Sequence, residues 1–135
     1  MNIIPYSDFD GNCEEALNRY KEIFNGEVVY LQRFKDGPGM EMSEMDLERT
    51  MHAQLKIGDM VLYLSDTFPG TPLAEKSRIS LNLGFTDLDE QKRVYDALCQ
   101  NGTITMPLEE QFWGDVFGAV TDEFGIPWSL AASKK

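Results

Sequence analysis

Histidine is nearly missing from this sequence: His52 is the only one. A catalytic metal site built on two imidazoles therefore cannot be assembled within a single chain. Cysteine is scarce as well. Cys13 and Cys99 are the only two, far apart and with no C-x-x-C, so there is neither a disulfide framework nor a zinc knuckle. Such usage suits a reducing compartment. Long apolar runs are also lacking. The longest, Met60 to Leu64, is far short of the roughly 20 residues that span a bilayer. The first dozen residues have neither the basic start nor the apolar stretch of a secretory signal, and a cytoplasmic chain is the expectation. Basic residues are few: 12 Lys and Arg face 23 Asp and Glu, a net charge of −11. A surface of that sign repels phosphate backbones and anionic lipid, which argues against nucleic-acid and membrane partners. Four motifs are absent too: H-E-x-x-H, G-x-S-x-G, the phosphate loop and G-x-G-x-x-G. Their absence argues against zinc proteases, α/β-hydrolases, P-loop enzymes and Rossmann methyltransferases.

What is present is an ordinary globular composition, 42% hydrophobic and 26% charged over 135 residues, enough for one domain with a real core. One pattern runs through it twice. Ile3 to Phe9 reads as a strand. Asn12 and Glu15 have capping-box spacing, and Ala16, Leu17, Tyr20, Ile23 and Phe24 form one apolar helical face that Asn25-Gly26 closes. Strand patterns come next at Glu27–Phe34, Met51–Ile57 and Met60–Ser65, the last two joined by the hairpin signal Gly58-Asp59. A breaker stretch from Thr67 to Ser77 contains Pro69, Gly70 and Pro72. The pattern then restarts with a strand at Ile79–Phe85. Asp87 and Glu90 repeat the capping box, and Leu88, Val94, Tyr95 and Leu98 form a helical face closed by Asn101-Gly102. Strands are expected at Thr103–Leu108, Val116–Thr121 and Pro127–Ala131. The fold class is thus α+β, two tandem β-α-β-β-β modules of mixed sheet, at about 1–66 and 78–135 with a linker at about 67–77.

Alternation assigns the faces. Ala53, Leu55, Leu64, Leu81, Leu83, Trp128 and Leu130 lie on the greasy sides. His52, Gln54, Tyr63, Ser65, Ser80, Asn82 and Ser129 lie on the mixed polar sides. If two such faces meet, they enclose a cleft; if they do not, they meet solvent. Phe112-Trp113-Gly114 reads as a loop at the mouth of that cleft, either a stacking wall for a ligand or a dimer contact. Lys35 to Thr50 is the longest irregular stretch. It carries Met40, Met42 and Met45 and reads as a solvated loop.

Several segments resemble the vicinal-oxygen-chelate superfamily, which includes glyoxalases, extradiol dioxygenases and bleomycin-resistance proteins, and in particular its PhnB-like branch. They are Pro5-Tyr6 with Phe9-Asp10-Gly11-Asn12, Met51-His52-Ala53, Leu64-Ser65-Asp66, Met106-Pro107-Leu108, Phe112-Trp113-Gly114 and the run from Thr121 to Trp128. The resemblance implies the glyoxalase/bleomycin-resistance fold and a homodimer. In metal-using members it implies four ligands, at positions that fall near Pro5, Tyr63, Ser80 and Ser129 here. None of these is a usual ligand of a catalytic divalent ion, so no metal and no other cofactor is expected.

Three functions remain open. The favoured one is metal-independent binding of a small organic molecule, with Tyr6, Gln54, Ser65, Ser80, Asn82, Phe112, Trp113 and Ser129 as candidate contacts. The second is an enzyme using His52 as general base and Tyr63 to orient its substrate, or using a divalent metal site of unrecognised form. The third is a dimeric protein-interaction module.

Overall fold

The computed structural model describes residues 1–37, 39 and 41–133. These form two compact units, Met1–Ala74 and a second from Glu75 onward. The first runs β1 (Tyr6–Phe9), α1 (Cys13–Phe24), β2 (Glu27–Arg33), a 3-10 turn (Phe34–Asp36), a short helix α2 (Glu44–Leu47), β3 (Thr50–Ile57) and β4 (Met60–Asp66). Its sheet has the order β1-β4-β3-β2; β1 lies parallel to β4 and the other pairs are antiparallel. The second unit runs β5 (Leu81–Phe85), α3 (Leu88–Cys99), β6 (Thr103–Glu110), β7 (Asp115–Thr121) and β8 (Pro127–Ser133), in the order β5-β8-β7-β6 with β5 parallel to β8. This is the α+β architecture that the repeated pattern implies.

Each helix covers one face of its own sheet. α1 buries Cys13, Ala16, Leu17, Tyr20 and Ile23 against Phe9, Ala53, Leu55 and Leu64. A fully buried leucine in such a layer contributes about 1.5–3 kcal/mol. α3 buries Gln91, Val94, Tyr95 and Leu98 over Val120, Trp128, Leu130 and Ala132. Here the expected apolar face is corrected. Leu88 is exposed at the helix start, and Gln91 lies beneath the helix instead, its amide donating to the Val116 carbonyl at 2.9 Å. Asn25 and Asn101 adopt left-handed φ values of 53° and 59° at the two helix ends, as their sequence signals imply.

The two helix starts differ. Asp87 caps α3 as expected, accepting from the Asp89 and Glu90 amides. Asn12 makes no side-chain cap on α1. The carboxylate of Asp66 takes over that role from the end of β4. Its Oδ1 accepts from the Gly11 and Cys13 amides at 2.8 and 3.0 Å, and Oδ2 accepts from Thr50 N at 2.9 Å. One buried carboxylate thus takes the amide of the helix's first residue and that of the turn before it, and ties β3, β4 and α1 together.

The Cys13 thiol lies beside it. Burial, and next the Asp66 charge, push its pKa up to about 12. A thiol so disfavoured as thiolate is no nucleophile. Native protein at pH 8 should leave Cys13 unmodified by Ellman's reagent, and denaturant should release it. Rapid native labelling of Cys13 would contradict this packing.

The stretch from Lys35 to Thr50 departs from the expected solvated loop. It contains α2, capped by Ser43 Oγ, which accepts from Asp46 N. Arg33 grips Glu14 with two bonds of 2.8 Å and holds the Glu48 carbonyl at 3.1 Å, while Lys35 pairs with Glu48. The Arg33 bonds hold the Glu14 carboxyl below its ordinary range. Phe34 is buried and its ring lies 5.3 Å from that of Phe68. Met45 is exposed and Met42 half-buried, whereas Met40 lies outside the described residues.

Candidate functional site

The face of the first sheet turned away from α1 carries the densest group of chemistry-bearing side chains. Tyr6 on β1 stands opposite Tyr63 on β4, and Tyr63 stands opposite Gln54 on β3. Alternation puts His52 on the same face, two residues before Gln54. Across from these, β2 adds Tyr30 opposite Gln54 and Gln32 opposite His52.

His52 is held by both ring nitrogens. Its Nδ1 lies 2.8 Å from the Tyr6 hydroxyl and its Nε2 lies 3.2 Å from Gln54 Nε2. With the Gln54 amide N–H donating to Nε2, the imidazole proton sits on Nδ1 and donates to Tyr6 Oη. The phenolic hydrogen of Tyr6 is then free to point outward. Tyr63 meets both rings edge-on, at centroid distances of 5.6 Å to Tyr6 and 4.8 Å to His52. The Tyr30 ring lies 5.8 Å from that of His52, and its hydroxyl donates to Gln32 Oε1 at 2.9 Å. The Tyr63 hydroxyl has no partner among the described residues. Tyr6 and Tyr30 are about half exposed and His52, Gln54 and Tyr63 are half-buried.

Tyr30 and Gln32 are not among the sequence candidates. Simple alternation turns Tyr30 toward α1, because Val28 pairs with the buried Leu55. A bulge between Val28 and Tyr30 adds one residue and reverses the facing of the rest of the strand. Ser65 continues the Tyr63 face but is nearly buried, its hydroxyl donating to Asp8 at 3.4 Å.

On the face of the second sheet turned away from α3, Asn82 and Ser129 stand opposite each other, and the Ser129 hydroxyl donates to Asn82 Oδ1 at 2.8 Å. Ser80 stands apart from them, exposed and one residue before β5 begins. Phe112 and Trp113 occupy the tip between β6 and β7. Their rings meet edge-on at 4.9 Å, and Trp113 lies 6.1 Å from Phe117. Trp128 is core, as its alternation implies, with its indole donating to the buried Asp122 at 2.8 Å.

The donor chemistry does not fit the divalent metal that the fold family uses. Pro5 offers only a carbonyl, which already accepts from Tyr63 N at 3.0 Å. Tyr63 offers a phenol; the Ser129 hydroxyl is committed to Asn82, and Ser80 is an exposed serine. His52 has both nitrogens engaged. Among the described residues no three His, Cys, Asp or Glu side chains form a metal-holding group. No helix among them is long and apolar enough to cross a membrane.

Comparison with known proteins matches residues 1–131 to the family described as 3-demethylubiquinone-9 3-methyltransferase. The chain is 32% identical to protein YjdN of Escherichia coli K12, over 100% of this chain and 97% of that one. Protein PA1353 of Pseudomonas aeruginosa is 33% identical, with a TM-score of 0.89 over 98% of both chains. A PhnB protein of Bacillus cereus carrying the same methyltransferase description is 27% identical, with a TM-score of 0.83 over 98% of this chain and 100% of that one. At 10% identity the fosfomycin resistance protein FosX of Listeria monocytogenes shares the fold alone.

Proposed function

Because the chain belongs to the PhnB-like family of the glyoxalase/bleomycin-resistance superfamily, described as 3-demethylubiquinone-9 3-methyltransferase, we propose that it binds a small, flat organic molecule without a metal ion, on the uncovered face of its first sheet. The observation that carries this reading is the assembly of Tyr6, Tyr30, His52 and Tyr63 around one patch. One phenol hydroxyl there lacks a partner among the described residues, and a second has a hydrogen to spare. Aromatic edges give a flat ligand contact area at little entropic cost, and the phenols supply direction.

The methyltransferase description is not carried over to this chain. A nucleoside cofactor held at a strand-to-helix turn needs free backbone amides there. At the β1–α1 turn, the amides of Gly11 and Cys13 already serve Asp66. Two of the amides that such a turn would offer are therefore already committed.

The test is an NMR titration of the protein with benzamide, a flat probe with one donor and one acceptor, beside native mass spectrometry of untagged protein purified without chelator. Tyr63→Phe keeps the ring and should weaken binding about threefold, while Tyr63→Ala should weaken it more than about tenfold. Stoichiometric zinc, nickel, iron or manganese in the native mass would overturn the metal-free reading. Unaltered benzamide shifts in Tyr63→Ala would remove the first-sheet face from it.

A second reading has its own support in the 2.8 Å contact between Tyr6 and His52. A proton leaving a substrate at Tyr6 Oη can pass to His52 only after the Gln54 amide reverses, because Gln54 holds Nε2. An enzyme of this kind loses turnover and keeps binding in His52→Gln, whereas a binder turns nothing over in either the parent or the variant.

A further inference from the structure

We propose that the uncovered face of the second sheet binds an organic cation, an alkylammonium or guanidinium group, against Trp113 and Phe117. This site uses none of the residues of the Tyr6–His52 patch and is expected whether or not that patch binds anything.

The strands explain the preference for a cation. None of β5, β6, β7 or β8 contains a lysine or an arginine. The same strands place two carboxylates beside the aromatic pair. Glu109 stands directly across from Phe117 on β6, a separation of roughly 5 Å between Cβ atoms. Asp115 precedes Phe117 by two residues on β7, on the same face and roughly 7 Å along the strand. Neither carboxylate has an ion-pair partner among the described residues.

The aromatic half of the site is built rather than incidental. Gly114, at φ 98°, donates its amide to the Gln111 carbonyl at 3.0 Å, and Gln111 N donates to the Asp115 carbonyl at 2.8 Å. This closed tip projects Phe112 almost fully into solvent and leaves Trp113 half exposed. Trp113 is nevertheless braced, edge-on by Phe112 and at an interplanar angle of 62° by Phe117. Opposite Phe117 on β8 stands Ala131, which leaves the ring's flank low. An electron-rich ring face with carboxylates on two sides attracts a weakly hydrated cation. A neutral ligand gains nothing from those charges, and an anion is repelled by them and by the chain's net charge of −11.

The test uses tetramethylammonium chloride, with tert-butanol as a neutral probe of similar shape and sodium chloride as the ionic-strength control, each monitored by NMR. The two indole N–H signals make the protein its own reference, since Trp128 is buried on Asp122. The Trp113 signal should move saturably with tetramethylammonium, at a dissociation constant on the order of ten millimolar, while Trp128 stays still. The double variant Glu109→Gln, Asp115→Asn should weaken this about fivefold, with the unmoved Trp128 signal showing that the fold is intact. Equal movement with tert-butanol or sodium chloride would overturn the proposal. So would affinity unchanged in the double variant, or no movement of Trp113 at all.

Discussion

Asp66→Asn should lower the free energy of unfolding by about 3 kcal/mol, the midpoint of urea denaturation falling with its slope unchanged. The native carboxylate is buried and accepts from Gly11, Cys13 and Thr50 at once. An amide has one acceptor oxygen. If that oxygen keeps Gly11 and Cys13, the new NH2 faces Thr50 N–H, donor against donor, and a buried amide is orphaned. Turning the amide round orphans two. Either way a charge-assisted cluster becomes neutral and incomplete. The loss should be felt first at the start of α1, so Cys13, silent to Ellman's reagent in the parent, should become reactive in the variant before global unfolding. A loss below about 1 kcal/mol would mean that Asn12 or water caps the helix instead.

Gly102→Ala should cost about as much, near 3 kcal/mol, for an unrelated reason. A Cβ at Gly102 would stand 2.6 Å from the Thr121 carbonyl oxygen, 3.0 Å from that of Leu98 and 3.1 Å from Asp122 Cα. All three are backbone atoms, so no rotamer can yield; the end of α3 or the end of β7 must shift. Gly84→Ala is the matched control, because a Cβ there meets nothing within 4 Å. It should change stability by no more than about 0.5 kcal/mol. Equal effects of the two would show that the α3–β6 corner adapts more easily than its contacts imply.

Gly102 also shows what a single sequence reveals. Asn25-Gly26, Asp87 and Asn101-Gly102 mark helix ends through interactions within a few residues, so they are legible in order along the chain. They expose the duplicated β-α-β-β-β pattern, and period-two alternation then puts His52, Gln54 and Tyr63 on one face. The illegible features depend on distance or on a broken period. Asn12 has the right spacing for a cap but its side chain makes none, and Asp66, 53 positions beyond Cys13, accepts from the amides on either side of it. Tyr30 and Gln32 join the His52 face only because the β2 bulge shifts the register by one residue, and no composition signal announces it. Gln91 lies under α3 because its amide finds the Val116 carbonyl, a partner that helical periodicity cannot foresee. Ile79 extends the apparent strand back past Ser80, yet pairing begins at Leu81.

Each sheet is closed by pairing its first strand with its last, and in the first unit that closing strand is only four residues long. β2, β3 and β4 are neighbours in sequence and can zip together early. β1 must pay the loop-closure entropy of the whole module before it gains its few bonds, so it docks late and leaves first. Tyr6 travels with it. The Tyr6–His52 hydrogen bond joins residues 46 positions apart and exists only while β1 is seated. The Tyr6 side of the patch and the seating of one edge strand are therefore a single equilibrium. A ligand that touches Tyr6 draws that strand into place, and a change that loosens the strand weakens the ligand from a distance.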